Sequence, residues 1–255
     1  MGAVLATFAI GVVAGALSAL LGIGGAVVTT PAVRVLGATP IEAVGSTVPA
    51  ILPGAISGSI RYAREGLVEW RLALGLGVSG TVFALGGAWL SDVVGGRPLM
   101  VLTAALMLWS GVSVVRGADR SVPDQPLEVG SGPPIWSIVL VGAASGFVAG
   151  LLGVGGGIVM VPAMTGPLHV PMKRAVASSL VAVAIFSVPA LVTHVLLGHV
   201  DWRFALPLMA GVVPGAQIGA RMTIGAAEHR VRQWFGILVV LVAVLYGVTE
   251  LAALF

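Results

Sequence analysis

The sequence predicts an all-α polytopic membrane protein made of two inverted repeats of about five helical segments each. The first run of each repeat is broken at a Gly-rich motif. Three observations predict this fold: an apolar composition, long charge-free runs and an internal repeat. Of the 255 residues, 58% are hydrophobic and 9% are charged, and the mean hydropathy is +1.08. Soluble domains carry roughly 25% charged residues, so this composition indicates a chain that lies in a membrane.

The charge and cysteine content narrow the possible functions. The formal net charge is +3 and the isoelectric point is about 10.2, but the 13 basic residues are scattered over short loops. This distribution indicates membrane topology, and we expect no nucleic-acid partner. The chain contains no cysteine, which excludes disulfides, thiolate chemistry and thiol-ligated zinc.

Charge-free apolar runs supply the predicted helices. About 20 residues are needed to cross a bilayer, and the runs lie at about 3–33, 43–60, 72–91, 98–115, 135–168, 175–193, 204–220 and 233–249. Between the two sets of four, residues 117–134 are rich in Pro, Gly and charge, which is typical of a solvated linker. The predicted organisation is therefore a first membrane repeat at 1–116, a linker at 117–134 and a second membrane repeat at 135–255.

The first run of each set is longer than a single crossing requires and carries a cluster of glycines. Residues 20–33 read LLGIGGAVVTTPAV, and residues 151–164 read LLGVGGGIVMVPAM. Glycine adopts backbone conformations that other residues avoid, so each cluster predicts a point where a helix stops and restarts. Two helical pieces in the first run give each repeat five segments, whether the pieces form a short hairpin or two tilted crossings.

The two halves match well beyond the glycine motif. At an offset of 131, residues 20–31 align with 151–162. At an offset of 132, GLVEWR at 66–71 aligns with GHVDWR at 198–203, and Ser46 and Thr47 align with a second hydroxyl pair. A duplicated unit therefore covers nearly the whole chain.

The basic residues predict how the halves lie in the membrane. Five plus five segments put ten basic residues on one side: Arg61, Arg64, Arg71, Arg116, Arg120, Lys173, Arg174, Arg221, Arg230 and Arg232. The other side receives Arg34, Arg97 and Arg203. Four plus four parallel segments would split them seven to six. Because basic loops stay cytoplasmic, the asymmetry favours inverted halves with both termini outside and the linker in the cytoplasm of a prokaryotic cell.

The glycine breaks are the main candidate site. A restarted helix presents unpaired N–H groups and a partial positive charge, so two restarts inside a bilayer could hold an anion without a buried cation. The alternative is that the glycines only allow close helix packing. The candidate residues of the two breaks are Gly22, Gly24, Gly25, Ala26 and Thr29, then Gly153, Gly155, Gly156 and Gly157.

Polar side chains in the following segments complete the candidate site. Ser46 and Thr47 match Ser178 and Ser179 in position, and their hydroxyls either donate to anion oxygens or bond to the carbonyl of their own helix. Gln217 is an amide inside an apolar segment, so we expect it to face the bundle interior or a cavity.

The remaining polar residues give little sign of chemistry. The four histidines, His169, His194, His199 and His229, lie at or near segment ends without metal-ligand spacing, and we expect no metal and no other cofactor. His194 is a candidate proton carrier. The ten acidic residues fall in predicted loops or segment ends, which disfavours cation transport, and no catalytic constellation lies in a membrane segment. The sequence therefore does not predict an enzyme.

The two LLGxGG…P motifs, the stretches AVGST and AVASSL and the repeated GxVxW resemble the sulfite exporter TauE/SafE family over about residues 3–250. The resemblance implies export or uptake of sulfite, an organosulfonate or a related small sulfur anion, with protons as the coupling ion. The first motif departs from the fuller GxGGG pattern, since Ala26 stands where the second copy has Gly157. The two half-sites are therefore expected to bind unequally.

The function expected from the sequence is secondary transport of a small sulfur-containing anion by alternating access between the two breaks. The alternative is a transporter or channel for another small anion, such as a carboxylate. The expected partners are the anionic substrate, membrane lipid and protons. The sequence does not define the oligomeric state, and a homodimer stays among the alternatives.

Overall fold

The computed structural model describes residues 2–94, 96–116, 133–153 and 155–252, and these form ten helices and no strand. In chain order the helices are α1 Gly2–Leu21, α2 Ala26–Val35, α3 Pro40–Arg64, α4 Trp70–Val94, α5 Gly96–Arg116, α6 Ile135–Leu152, α7 Gly157–Thr165, α8 Met172–Leu196, α9 Trp202–Gly225 and α10 Glu228–Ala252. The predicted all-α architecture is confirmed. Most of the linker predicted at 117–134 lies outside the described residues.

Five helices are long and apolar enough to cross a membrane within the described ranges. These candidate spans are Val4–Leu21, Pro40–Arg64, Trp70–Val94, Ile135–Leu152 and Met172–Leu196. Two of the remaining helices, α2 and α7, have only 10 and 9 residues. At 1.5 Å per residue, each short helix covers about half of a bilayer core.

Glycine stripes bring two helix pairs into close contact. In the pair α1 and α9, a Cβ atom on Gly15 would lie 2.3 Å from the carbonyl oxygen of Val212, and one on Gly219 would lie 1.9 Å from that of Ala16. In the pair α4 and α6, a Cβ atom on Gly146 would lie 2.1 Å from the carbonyl oxygen of Gly80. Since apolar side chains gain nothing by leaving lipid, such close backbone packing is what holds membrane helices together.

The contacts also follow the sequence repeat. The repeat matches α1 with α6, α3 with α8 and α4 with α9, and the pair α1 and α9 is thus the counterpart of α6 and α4. Both pairs run parallel, because residue numbers rise together along each contact: Gly11 meets Leu208 and Gly219 meets Ala16. The matched helices α3 and α8 run in opposite directions, since Arg174 at the start of α8 meets Gly66 just after α3.

The main buried core draws side chains from nearly all of the helices, including both short ones. Its largest fully buried side chains include Tyr62, Phe186, Leu21, Leu152 and Ile158. The α3 start is fixed by a capping box, in which Thr39 Oγ1 accepts from the backbone N–H of Glu42 at 3.4 Å and Glu42 Oε2 accepts from the N–H of Thr39 at 2.8 Å.

Candidate functional site

The first break lies between α1 and α2. Gly22, Gly24 and Gly25 have φ values of 73°, 84° and 80°, in the left-handed region that favours glycine. Gly25 is the N-cap of α2, and no side chain caps this helix start. Ala26, its first residue, is buried. The sequence therefore ends one helix and opens the next inside the core, as the glycine pattern predicts.

The second break repeats this geometry between α6 and α7. Gly153, Gly155 and Gly156 have φ values of 63°, 88° and 66°. Gly156 is the N-cap of α7, again without a side-chain cap, and Gly157 is the first helical residue. Both short helices thus begin with backbone N–H groups that no side chain caps, the arrangement that attracts negative charge.

The two breaks touch each other in the middle of the molecule. A Cβ atom on Gly24 would lie 3.1 Å from the Cα atom of Gly155, and the reverse distance is also 3.1 Å. A Cβ atom on Gly157 would lie 2.1 Å from the carbonyl oxygen of Gly22. Close packing is therefore one established role of these glycines, and it places the two helix starts side by side.

Hydroxyl groups of α3 and α8 lie next to the breaks. Ser179 Oγ donates to the carbonyl oxygens of Gly22 at 2.8 Å and Val176 at 2.9 Å, a bifurcated arrangement. Thr47 Oγ1 donates to Val44 at 2.9 Å and lies 3.2 Å from Thr30 Oγ1. The side chains of Ser179 and Thr47 are fully buried. Ser179 thus links α8 to the first break, and Thr47 links α3 to α2.

A separate hydrogen bond holds Thr29 within α2. Its Oγ1 donates to the carbonyl oxygen of Gly25 at 3.4 Å. The interaction is the local helix bond that competes with ligand binding at such positions.

Ser46 and Ser178 have a role that the sequence did not show. Ser46 Oγ accepts from the backbone N–H of Asp201 at 2.8 Å, and Ser178 Oγ accepts from that of Glu69 at 2.9 Å. Asp201 and Glu69 are themselves equivalent in the repeat. Each serine therefore holds the start of a helix in the opposite half. The sequence alone suggests only anion oxygens or a carbonyl of the same helix as partners for these hydroxyls.

Gln217 lies in α9, and its hydrogen bonds go to α3 and not to the glycines of the breaks. Its Nε2 donates to the carbonyl oxygen of Ser57 at 2.7 Å and lies 2.9 Å from Ser57 Oγ. Ser57 Oγ in turn donates to the carbonyl oxygen of Val213 at 3.1 Å. The Gln217 amide thus finds its partners in a contact between α3 and α9.

The structure also joins three titratable residues that sequence reasoning kept apart. His194 Nδ1 lies 3.1 Å from His199 Nδ1, and His199 Nε2 lies 3.1 Å from Asp92 Oδ1. The only hint in the sequence is that His199 breaks the match between GHVDWR and GLVEWR. Asp92 is 107 residues from His199, so nothing in the local pattern could have paired them.

The ten-helix fold, with five candidate spans and two helix breaks meeting in the core, defines a multi-pass membrane protein with the architecture of a transporter. A group of three or more His, Cys, Asp or Glu side chains able to hold a metal ion is not found among the described residues.

Comparison with known proteins identifies the particular family. The family model described as sulfite exporter TauE/SafE matches residues 7–246, and the chain belongs to this family, as its motifs predict. A "Probable membrane transporter protein" of Xylella fastidiosa (strain 9a5c) is 31% identical over 232 residues, covering 88% of this chain and 87% of the relative. The "Probable membrane transporter protein YunE" of Bacillus subtilis (strain 168) is 28% identical over 252 residues, covering 88% of each chain.

No solved structure gives a significant match. The family and the curated relatives indicate membrane transport, which favours transport over catalysis for this chain.

Proposed function

We propose that this protein is a secondary transporter that moves a small sulfur-containing anion, sulfite or an organosulfonate, across the plasma membrane of a prokaryotic cell. The anion is held between the two Gly-broken helices and crosses by alternating access. The observation that carries the proposal is the contact between the breaks at Gly24 and Gly155. This contact brings two uncapped helix starts to the same point.

The electrostatics of the breaks favour an anion. Residues 20–33 and 151–164 contain no charged side chain, so the local field comes from backbone dipoles. An arginine or lysine at this depth would cost roughly 2.5–3.5 kcal/mol on insertion scales. Backbone N–H groups supply positive potential without that cost. Acidic side chains would repel the cargo, and both segments lack them.

The proposed binding residues fall into two groups by their contacts. The helix starts supply backbone groups, and the surrounding helices supply side chains that shape the walls. Together they are Gly22, Gly24, Gly25, Ala26, Thr29, Ser46, Thr47, Gly153, Gly155, Gly156, Gly157, Ser178, Ser179 and Gln217. Within this set, Ser46, Ser178 and Gln217 act by positioning helices, given the backbone partners that each one has.

Alternating access follows from the arrangement of the halves. Matched helices run in opposite directions, as α3 and α8 do, and the breaks lie where the halves meet. In such folds, one half rocks against the other around a site near the bilayer midplane. We therefore expect the contact between Gly24 and Gly155 to open toward one side at a time. The orientation proposed from the basic residues puts both termini outside and the linker in the cytoplasm.

A second candidate function is transport of another small anion, such as a carboxylate. Backbone N–H groups bind oxyanions of either class, so the breaks alone do not separate sulfonates from carboxylates. The family description favours a sulfur anion.

The test is flux in proteoliposomes containing the purified protein. We expect uptake of labelled sulfite above that of protein-free vesicles, with competition by unlabelled sulfite and by sulfoacetate. Acetate that competes more strongly than these would favour the carboxylate alternative. If thermal unfolding shows that the wild-type protein is folded and it still moves none of these anions, the proposed function is wrong.

A further inference from the structure

One position of the repeat carries a side chain that can exchange a proton near neutral pH in only one half. Tyr62 and His194 are equivalent, and so are Ala19 and Gly150. The Tyr62 hydroxyl donates to the carbonyl oxygen of Ala19 at 2.6 Å, and His194 Nε2 lies 3.2 Å from that of Gly150. The same bond therefore joins the same two helices in both halves, but in the second half an imidazole makes it.

The imidazole of His194 is the inner end of a hydrogen-bonded chain that reaches the surface. His194 is fully buried, His199 is 6% exposed, and the side chain of Asp92 is 55% exposed. The links are the two 3.1 Å contacts, from His194 Nδ1 to His199 Nδ1 and from His199 Nε2 to Asp92 Oδ1. The first half has no counterpart, because Leu67 and Ile224 stand at the positions equivalent to His199 and Asp92.

The three hydrogen bonds of the His194–His199–Asp92 chain determine how many protons these side chains hold. A carbonyl only accepts, so His194 Nε2 carries a hydrogen toward Gly150. The contact between the two Nδ1 atoms needs one further hydrogen, and the contact between His199 and Asp92 needs another. The three contacts therefore need three hydrogens. Two neutral imidazoles carry one N–H hydrogen each and an ionised carboxylate carries none, so the group holds one proton more than in those states.

That extra proton has three possible positions. It can sit on Asp92 as a carboxylic acid, on His199 as an imidazolium or on His194 as an imidazolium, with every contact still made. When the carboxyl proton of Asp92 passes to His199 Nε2, the Nδ1 proton of His199 passes to His194 Nδ1. Asp92 becomes a carboxylate, His199 stays neutral and His194 becomes positive, so charge and atoms balance.

Among the described residues, the helices packed around this hydrogen-bonded chain carry few other ionisable side chains. Helix α6 has no ionisable side chain, and α4 has only Arg71 besides Asp92. At the start of α3, the Glu42 carboxylate is held by Thr39. The carboxylate of Asp201, two residues after His199, accepts from the backbone N–H of Arg203 at 2.8 Å. Asp92 is therefore the acidic group that the structure brings to the two rings.

We propose that Asp92, His199 and His194 form a one-proton relay that carries protons from the surface at the end of α4 to the interior beside the second glycine break. Gly150, which accepts from His194, lies three residues before Gly153. The Gly150 carbonyl lies near the C-terminal end of α6, where helix carbonyls bear partial negative charge. Protonation of His194 adds positive charge on the approach to the break where the anion is proposed to sit.

The coupling role rests on the proposed function, whereas the proton chain itself does not. The first measurement therefore needs no substrate: ¹⁵N-histidine NMR of the protein in lipid nanodiscs across a pH series. We expect the His194 and His199 resonances to titrate together and Asp92→Asn to shift both. Two histidines that titrate independently and do not respond to Asp92→Asn would overturn the relay.

The second measurement is proton movement during anion flux, followed with a pH-sensitive dye inside proteoliposomes. Electroneutral one-proton cotransport of a monovalent anion gives about a tenfold concentration ratio per unit of pH gradient. His194→Tyr copies the bond made by Tyr62, so we expect a folded protein that has lost this accumulation. Tyr62→Phe, at the matched position, should keep it.

The outcomes separate the two proposals. Wild-type accumulation that persists in His194→Tyr would overturn the relay while leaving anion transport intact. Wild-type protein that moves no sulfite but shows the coupled titration by NMR would remove the proposed substrate and support the proton chain.

Discussion

Gly24 and Gly155 lie so close that a Cβ atom on either would come within 3.1 Å of the other's Cα atom. Each belongs to a different half, and each has a φ value above 80°. The contact therefore depends on the absence of a side chain and on the backbone freedom of glycine at the same residue. At this meeting point of the halves, a side chain would be opposed both by lack of space and by the backbone conformation.

Gly155→Ala should destabilise the protein and abolish transport. A Cβ atom would lie 2.9 Å from the carbonyl oxygen of Ile23, and the left-handed conformation costs a non-glycine residue roughly 1–2 kcal/mol. Thermal unfolding in detergent measures the first effect, and proteoliposome flux measures the second. Gly86→Ala in α4 is the matched control, because nothing lies within 4 Å of its added Cβ atom. A Gly155→Ala protein as stable and active as Gly86→Ala would contradict this account.

Gly157 and Ala26 occupy equivalent positions in the two breaks, and exchanging the residue type at each position should change stability by different amounts. Gly157→Ala places a methyl group 2.1 Å from the carbonyl oxygen of Gly22, and overpacking of this kind costs typically 1–3 kcal/mol. Ala26→Gly at the equivalent position removes a methyl group that the fold already accommodates, so we expect a smaller loss of stability. The comparison uses melting temperatures of the two variants. Equal shifts would mean that the first half-site is as tightly packed as the second.

Ser46→Ala and Ser178→Ala should lower stability by similar amounts with little effect on anion binding, because these hydroxyls position helices and do not contact the anion. Each removes the acceptor of a backbone N–H, at Asp201 and Glu69 respectively, and such losses cost about 1–3 kcal/mol. The two sites hold different helices, so the double variant should show the sum of the two effects. Unfolding temperatures and the sulfite concentration for half-maximal flux test this. A large increase in that concentration in either variant would instead make the hydroxyl a direct ligand.

The sequence predicted the parts of this molecule that are repeated or local. Glycine clusters at the same offset predicted both breaks, because a left-handed backbone needs glycine wherever it occurs. The helix ends at Leu21 and Leu152 are matched in the repeat. The existence of ten segments followed from run lengths and from the extra length of the first run in each half.

The parts that could not be predicted depend on contacts between distant residues. The partner of Ser46 is 155 residues away, and that of Ser178 is 109 residues away. Ser46 and Ser178 were expected to face an anion or their own helix, but no local pattern reports a backbone N–H from the other half. The link from His199 to Asp92 was missed for the same reason, since each residue alone lies at an ordinary helix end.

The inverted arrangement makes a topological prediction that the cysteine-free sequence is well suited to test. Arg64 and Leu196 are equivalent in the repeat, and both are exposed at the ends of α3 and α8. Because α3 and α8 run in opposite directions, these two positions should lie on opposite sides of the membrane.

Single-cysteine variants Arg64→Cys and Leu196→Cys should therefore react with a membrane-impermeant maleimide from opposite sides in whole cells and inside-out vesicles. From the basic-residue distribution we expect Leu196→Cys to react in whole cells and Arg64→Cys only in inverted vesicles. Labelling of both variants from the same side would exclude the inverted repeat, and reversed labelling would keep the repeat but turn the protein over in the membrane.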